Sequence, residues 1–172
     1  MSASRPALTS PLVLATRSAG KIRELRALCA SYGIGVATLE ELGIAESAKE
    51  DALEVFDTFE ENARAKARYF AALLPGRWVL AEDSGLVVDA LGGAPGVRSK
   101  RWTGSTATGA ALDAENNAAV QRALEGVEDR RARYVCVAVL VRGDAEWLGE
   151  GRVEGRITTA PRGANGFGYD PY

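Results

Sequence analysis

Leu12-Val13-Leu14-Ala15-Thr16-Arg17-Ser18-Ala19-Gly20-Lys21-Ile22 is the stretch on which the fold turns. Leu12 to Thr16 is a short apolar run that predicts a strand. Ser18 offers an N-cap hydroxyl to a helix starting at Ala19 or Gly20. Ile22, Leu25, Leu28, Cys29 and Tyr32 then recur at helical spacing, and Gly33 supplies a stop. A strand passing through a capped turn into an amphipathic helix opens an α/β unit. Working outward, Ile34 to Leu39 predicts a second strand and Glu40 to Asp57 an acidic, irregular loop. Thr58 and Glu61 have capping-box spacing, for a helix that ends at Pro75-Gly76. Trp78 to Ala81 predicts a buried strand, Glu82-Asp83-Ser84-Gly85 a tight polar turn, and Leu86 to Leu91 renewed apolar sequence. A turn-rich segment, Gly92 to Gly96, precedes a helix from Thr108 or Gly109 to Leu124. Tyr134 to Val141 and Trp147 to Ile157, joined through Gly143-Asp144, predict a long β-hairpin. The expected class is α/β, with a mixed central sheet flanked by helices. Residues 1–11 are expected to be a flexible tail and residues 12–172 a single domain.

Composition narrows the chemistry. The 172 residues contain no histidine, which removes Ser-His-Asp and Cys-His nucleophilic sites and His-ligated metals. Proton transfer near neutral pH then falls to carboxylates, lysines, tyrosines or metal-bound water. A net charge of −2 gives no broad basic field, so no nucleic-acid partner is expected. Val135 to Val141 is far too short to span a bilayer, so no membrane partner is expected. The first eleven residues carry no apolar leader core. Cys29 and Cys136 lie in apolar patterns and read as reduced core thiols of a cytoplasmic protein.

Four polar segments sit at element ends. In the first, a helix N-terminus with the hydroxyls of Thr16 and Ser18, Arg17, and the Lys21 ammonium suits a phosphate, although an ordinary capped helix explains the same residues. It is not a Walker A loop, since Ala15 stands where its first glycine is required and Ile22 where Ser or Thr follows the lysine. In the second, Asn62, Lys66 and Tyr69 share one helix face, either toward a phosphate or toward solvent. In the third, Glu82 and Asp83 arrive at the end of a buried strand, where ligands of open α/β sheets bind. Adjacent acids there need a compensating cation, and Mg²⁺ takes one or two carboxylates plus phosphate oxygens. Glu54 is a further candidate acid, in a loop already rich in them. In the fourth, glycines flank Phe167 in Gly166-Phe167-Gly168-Tyr169-Asp170-Pro171, which suits an aromatic face that stacks on a base, with Asp170 accepting a base N–H.

Taken in order, Leu14 to Lys21, Thr58 to Ala67, Asp83 to Leu86, Gly92 to Gly96, Ser99 with Arg101, and Gly166 to Pro171 resemble the inosine triphosphate pyrophosphatase family. The resemblance covers residues 12–172. It implies an elongated, two-lobed α/β fold and a Mg²⁺-dependent homodimeric hydrolase. Such an enzyme cleaves a small-molecule nucleoside triphosphate (ITP, dITP or XTP) between its α- and β-phosphates. By motif position Asp83 is the catalytic acid/base and a metal partner, with Glu54 at the acidic metal-site position and Glu82 beside Asp83. Thr16, Arg17, Ser18, Lys21, Asn62 and Lys66 fall at or beside triphosphate positions. Ser84, Phe167, Gly168, Tyr169 and Asp170 fall on further nucleotide positions, with Lys100 and Arg101 as additional candidates. The chain departs from the pattern at Ser18, where the family has Asn, and at Glu54-Val55-Phe56-Asp57, where it has Glu-Thr-Gly. The family also continues with a lysine and a Ser-His-Arg motif near the purine, which these 172 residues do not include. A chain cut short and a different mode of base recognition are the two readings. A nucleotide-binding protein with impaired catalysis and a pyrophosphatase for modified pyrimidines are the functional alternatives.

Overall fold

The computed structural model describes residues 10–163 and 165–172, so nearly all of the expected tail lies outside the described residues. The elements are β1 (Leu12–Leu14), α1 (Ala19–Ser31), β2 (Val36–Thr38), α2 (Phe59–Leu73), β3 (Val79–Val88), α3 (Gly109–Ala123), β4 (Arg131–Arg142) and β5 (Ala145–Arg156). Short 3-10 turns occupy Ala48–Leu53, Asp89–Leu91 and Gly96–Arg101. Among the described residues the strands form one sheet in the order β2-β1-β3-β4-β5. β1 pairs in parallel with β2 and with β3, placing Val13 opposite both Ala37 and Val79. β4 and β5 are neighbours joined by only Gly143 and Asp144, a connection open only to an antiparallel pair. The sheet is therefore mixed.

The described residues divide into two compact units. The first holds residues up to Val55, then Glu60–Glu82 and Ala138–Leu148. Its core is Leu12, Leu14 and Cys29, packed with Leu25, Ile34, Val36, Trp78, Leu80 and Leu140. The second holds Phe56–Phe59, Asp83–Val137 and Gly149–Tyr172. Its core is Leu86, Val88, Val120, Leu124, Ala132, Ile157 and Tyr169.

Local chemistry explains the helix ends. The Ser18 hydroxyl accepts the Lys21 N–H at 3.4 Å, and Gly33, at φ +70°, donates its own N–H to the Ala30 carbonyl at 3.0 Å. Part of the expected acidic loop is ordered by a capping box, with Ser47 and Glu50 satisfying each other's backbone N–H groups at the Ala48–Leu53 turn.

Three expectations are corrected. Glu82-Asp83-Ser84-Gly85 is not a turn, because β3 runs through it unbroken. Polarity here marks buried groups with partners rather than a chain reversal. Gly85 is required for close approach: a Cβ would collide with the Gly96 carbonyl and lie 2.5 Å from Ser99 Oγ. The apolar stripe of α1 is only partly used, since Leu28 and Tyr32 are exposed. The three-residue strands β1 and β2 give this helix a narrow floor. Cys136 is exposed while Cys29 is buried. Along β4, Val135, Val137, Val139 and Val141 take the buried face and leave Cys136 on the other.

Candidate functional site

In the first unit, two lysines from two helices meet one strand residue. Lys21, in the first turn of α1, places Nζ 2.7 Å from Glu82 Oε1. Lys66, near the middle of α2, donates from Nζ to the Glu82 main-chain carbonyl at 2.6 Å and to Glu54 Oε1 at 2.8 Å. Glu82 is 5% exposed and Lys66 8%. A carboxylate so enclosed is costly without a cation, and the Lys21 ammonium at contact distance offsets that cost. Successive strand side chains leave on opposite faces. Leu80 packs in the α1 cluster, so Glu82, two residues on, shares that side, and the buried Asp83 leaves β3 on the other.

The segment before α1 is a hydroxyl-lined, capped helix start. Thr16 Oγ1 accepts the Ser18 N–H at 3.2 Å, and the first turn of α1 contains no acidic residue to offset its partial positive charge. The first turn of α2, by contrast, holds Glu60 and Glu61. Arg17 is engaged elsewhere. Its guanidinium grips Glu50 through Nε at 3.1 Å and Nη2 at 2.8 Å, and Nη1 reaches the Ile44 carbonyl at 2.9 Å. Donating to the Glu50 carboxylate raises its already high pKa. Arg17 thus ties down the chain leading to Glu54 rather than extending toward a ligand. Asn62 is 0% exposed, so its amide is enclosed by packing.

In the second unit Ser99 and Tyr169 are held by neutral hydrogen bonds. Ser99 Oγ accepts the Leu86 N–H at 2.9 Å and donates to the Gly96 carbonyl at 2.7 Å. The Tyr169 hydroxyl donates to the Ser99 carbonyl at 2.8 Å. Tyr169 is a core residue, and burial pushes its phenol well above the usual range. The exposed Asp170 accepts the Phe167 N–H through Oδ2 at 2.9 Å. Phe167, Gly168 and Ser84 are half-buried, whereas Lys100 and Arg101 are exposed.

Sequence reasoning placed the helix that holds these loops but missed the side chains that do so. On α3, Asp113 Oδ2 accepts the Gly168 N–H at 3.0 Å, and Asn117 Nδ2 donates to the Gly168 carbonyl at 2.8 Å. Asn116 donates to the Lys100 carbonyl at 3.1 Å and accepts the Thr103 N–H at 3.2 Å. The available signal was a pair of asparagines, poor helix formers, in mid-helix three and four residues after an aspartate.

Among the described residues no group of three or more His, Cys, Asp or Glu is gathered to hold a metal. Glu54, Glu82 and Asp83 offer oxygen donors only. That set suits Mg²⁺, which uses one or two carboxylates and completes its shell with water and phosphate oxygens rather than a protein cage. Among the described residues no helix is long and apolar enough to cross a membrane.

The Ham1 family model matches residues 12–172. The chain belongs to the Ham1 family. This Ham1-family chain is 48% identical over 164 residues to a dITP/XTP pyrophosphatase of Bordetella parapertussis, an alignment covering 94% of the chain and 74% of the relative. It is 48% identical over 173 residues to a dITP/XTP pyrophosphatase of Burkholderia pseudomallei, covering 99% and 80%. Among solved structures it resembles the Staphylococcus aureus Ham1 protein, with a TM-score of 0.75 at 34% identity, covering 94% of this chain and 79% of that one. It also resembles a HAM1 protein from Coxiella burnetii, with a TM-score of 0.75 at 39% identity and the same coverage. The α/β class and the family expected from the motifs are both borne out.

Proposed function

We propose that this Ham1-family chain hydrolyses the purine nucleoside triphosphates ITP, dITP and XTP to the monophosphate and pyrophosphate. The carrying observation is the meeting of Lys21 and Lys66 on Glu82, two ammonium groups brought to one strand residue within 2.7 Å. Two such charges beside a helix N-terminus whose first turn holds no acidic residue provide what a triphosphate needs. The names of the relatives support the choice of purines.

In this reading Thr16, Ser18, Lys21 and Lys66 bind the triphosphate. Asp83 supplies the carboxylate that would hold Mg²⁺, with water and phosphate oxygens completing the shell, while Glu54 and Glu82 hold Lys66 and Lys21 in place. When bound, the ion would neutralise charge on the phosphate oxygens. Asp83 takes a proton from water as the water oxygen bonds to the α-phosphorus. The bond from that phosphorus to the oxygen bridging the β-phosphate breaks, and pyrophosphate leaves. Ser84, Lys100, Arg101 and the Phe167–Asp170 loop contact the rest of the nucleotide, with Phe167 stacking on the base. The motif resemblance further supports a homodimer acting on the cytoplasmic nucleotide pool.

A substrate panel tests the reading: ITP, dITP, XTP, ATP, dUTP and a methylated pyrimidine triphosphate, each with and without Mg²⁺, followed by pyrophosphate release. Metal-dependent release from the first three in preference to ATP is the expected result. Preference for the pyrimidines, or binding of ITP with no release, overturns it.

A further inference from the structure

We infer that Asp113 and Asn117 of α3 are positioning residues that fix the Phe167–Asp170 loop and so set how tightly the nucleotide base is held. The inference rests on the proposed nucleotide role of that loop. The observation behind it is a two-sided grip on one glycine. Gly168 donates its N–H to Asp113 Oδ2 at 3.0 Å, and its carbonyl accepts from Asn117 Nδ2 at 2.8 Å. Paired strands satisfy both backbone groups of one residue in this way. Here two side chains one helical turn apart do so. The grip is itself braced, because Asn117 Nδ2 also donates to the Asp113 carbonyl at 2.9 Å. Asn117 is only 8% exposed, which makes its amide expensive to leave without these bonds.

The rest of the loop is fastened as well. Gly168 lies at φ +60° and Gly166 at φ +88°, left-handed conformations that favour glycine. A Cβ at Gly166 would strike the Asp170 carboxylate, which caps the Phe167 N–H at 2.9 Å. The Tyr169 hydroxyl anchors the loop from below on the Ser99 carbonyl. A flexible loop would lose entropy on closing over a base, and a loop already fixed avoids that loss. Asp113 and Asn117 therefore act on nucleotide binding without touching the nucleotide.

The test combines steady-state kinetics on ITP with hydrogen exchange of segment 165–172 in the ligand-free protein. In Asp113→Ala, KM for ITP is expected to rise about 10- to 100-fold, the effect of losing a hydrogen bond to a charged acceptor, while kcat changes less than about threefold. Exchange of the segment is expected to speed up. Asp113→Asn, which keeps an accepting oxygen, is expected to restore KM to within a few-fold of wild type. Asn117→Ser carries the same comparison should Asp113→Ala not fold. Faster exchange with an unchanged KM overturns the positioning role, and unchanged exchange overturns the grip itself. A wild-type protein that hydrolyses no triphosphate instead defeats the functional reading, and the exchange measurement still decides whether α3 holds the loop.

Discussion

Glu82 in the first unit and Ser99 in the second are both buried polar nodes, yet they are satisfied differently. Glu82 is met by two ammonium groups, one on its carboxylate and one on its carbonyl. Ser99 is met by a backbone N–H, a backbone carbonyl and a tyrosine hydroxyl, all neutral. Around each node the same chemistry continues. The first unit adds Arg17–Glu50, Lys66–Glu54 and the bridge of Arg64 and Arg68 to Glu146. The second adds the asparagine amides of α3 against backbone carbonyls. Ion pairs leave cations that an incoming phosphate can share with their carboxylates, and they respond to salt. Neutral bonds to backbone are directional and fix loop shape. The Glu82 node is therefore held by charge and the Ser99 node by direction.

The most drastic way to break this comparison is to remove the group assigned to chemistry. Asp83→Asn should lower kcat about 10²- to 10⁴-fold, the usual worth of a general base, with ITP binding by calorimetry preserved. Next, Lys21→Ala and Lys66→Ala should each raise KM about 10- to 100-fold by deleting a charge-assisted contact. Raising ionic strength should weaken wild-type binding further, whereas the KM change in Asn117→Ser, which alters a neutral amide contact, should be nearly insensitive to salt. A smaller effect is expected in the neutral frame. Tyr169→Phe should cost about 1 kcal/mol in denaturant unfolding, one neutral hydrogen bond. Burial holds the Tyr169 phenol above its ordinary value. Its contribution is thus complete below about pH 10, where an unfolded tyrosine titrates, and is lost as pH climbs from there toward the folded value. Absorbance titration should show one phenol ionising later than the rest, and Tyr169→Phe should flatten the alkaline loss of stability.

The least effect is expected on the rim. The Arg64 hydrogen bond draws the Glu146 carboxylate below its ordinary value. Its contribution is present above the normal carboxylate range and disappears as pH falls through the lowered value. This part-exposed cluster should yield under about 1 kcal/mol on Glu146→Ala. A loss as large as that of Tyr169→Phe would mean that the ion pairs of the first unit are structural rather than available.

Much of this was legible in the chain. Ser18, Gly33 and Pro75-Gly76 mark helix ends because capping and helix breaking are local events, decided within a few residues. The hairpin was legible because strand alternation and a two-residue connection are local too. The motif order was enough to place the family. Other features were not legible. Glu82 and Asp83 looked like a turn because sequence reports polarity but not the lysine that neutralises it from another element. Arg17 looked like a phosphate ligand because nothing near it in sequence announces Glu50, 33 residues away. Tyr169 fell on a nucleotide position by motif, although the core of the second unit claims its ring.

The sequence by itself determined the elements, the family and the residue types that chemistry can use, since propensity, capping and spacing act over short range. Only the tertiary structure decided which lysine meets which carboxylate, that α3 grips Gly168 by both backbone groups, and which polar side chains are enclosed. Those choices depend on burial and on partners tens of residues apart, and a buried charge or amide is tolerated only where folding brings its partner to hydrogen-bond distance.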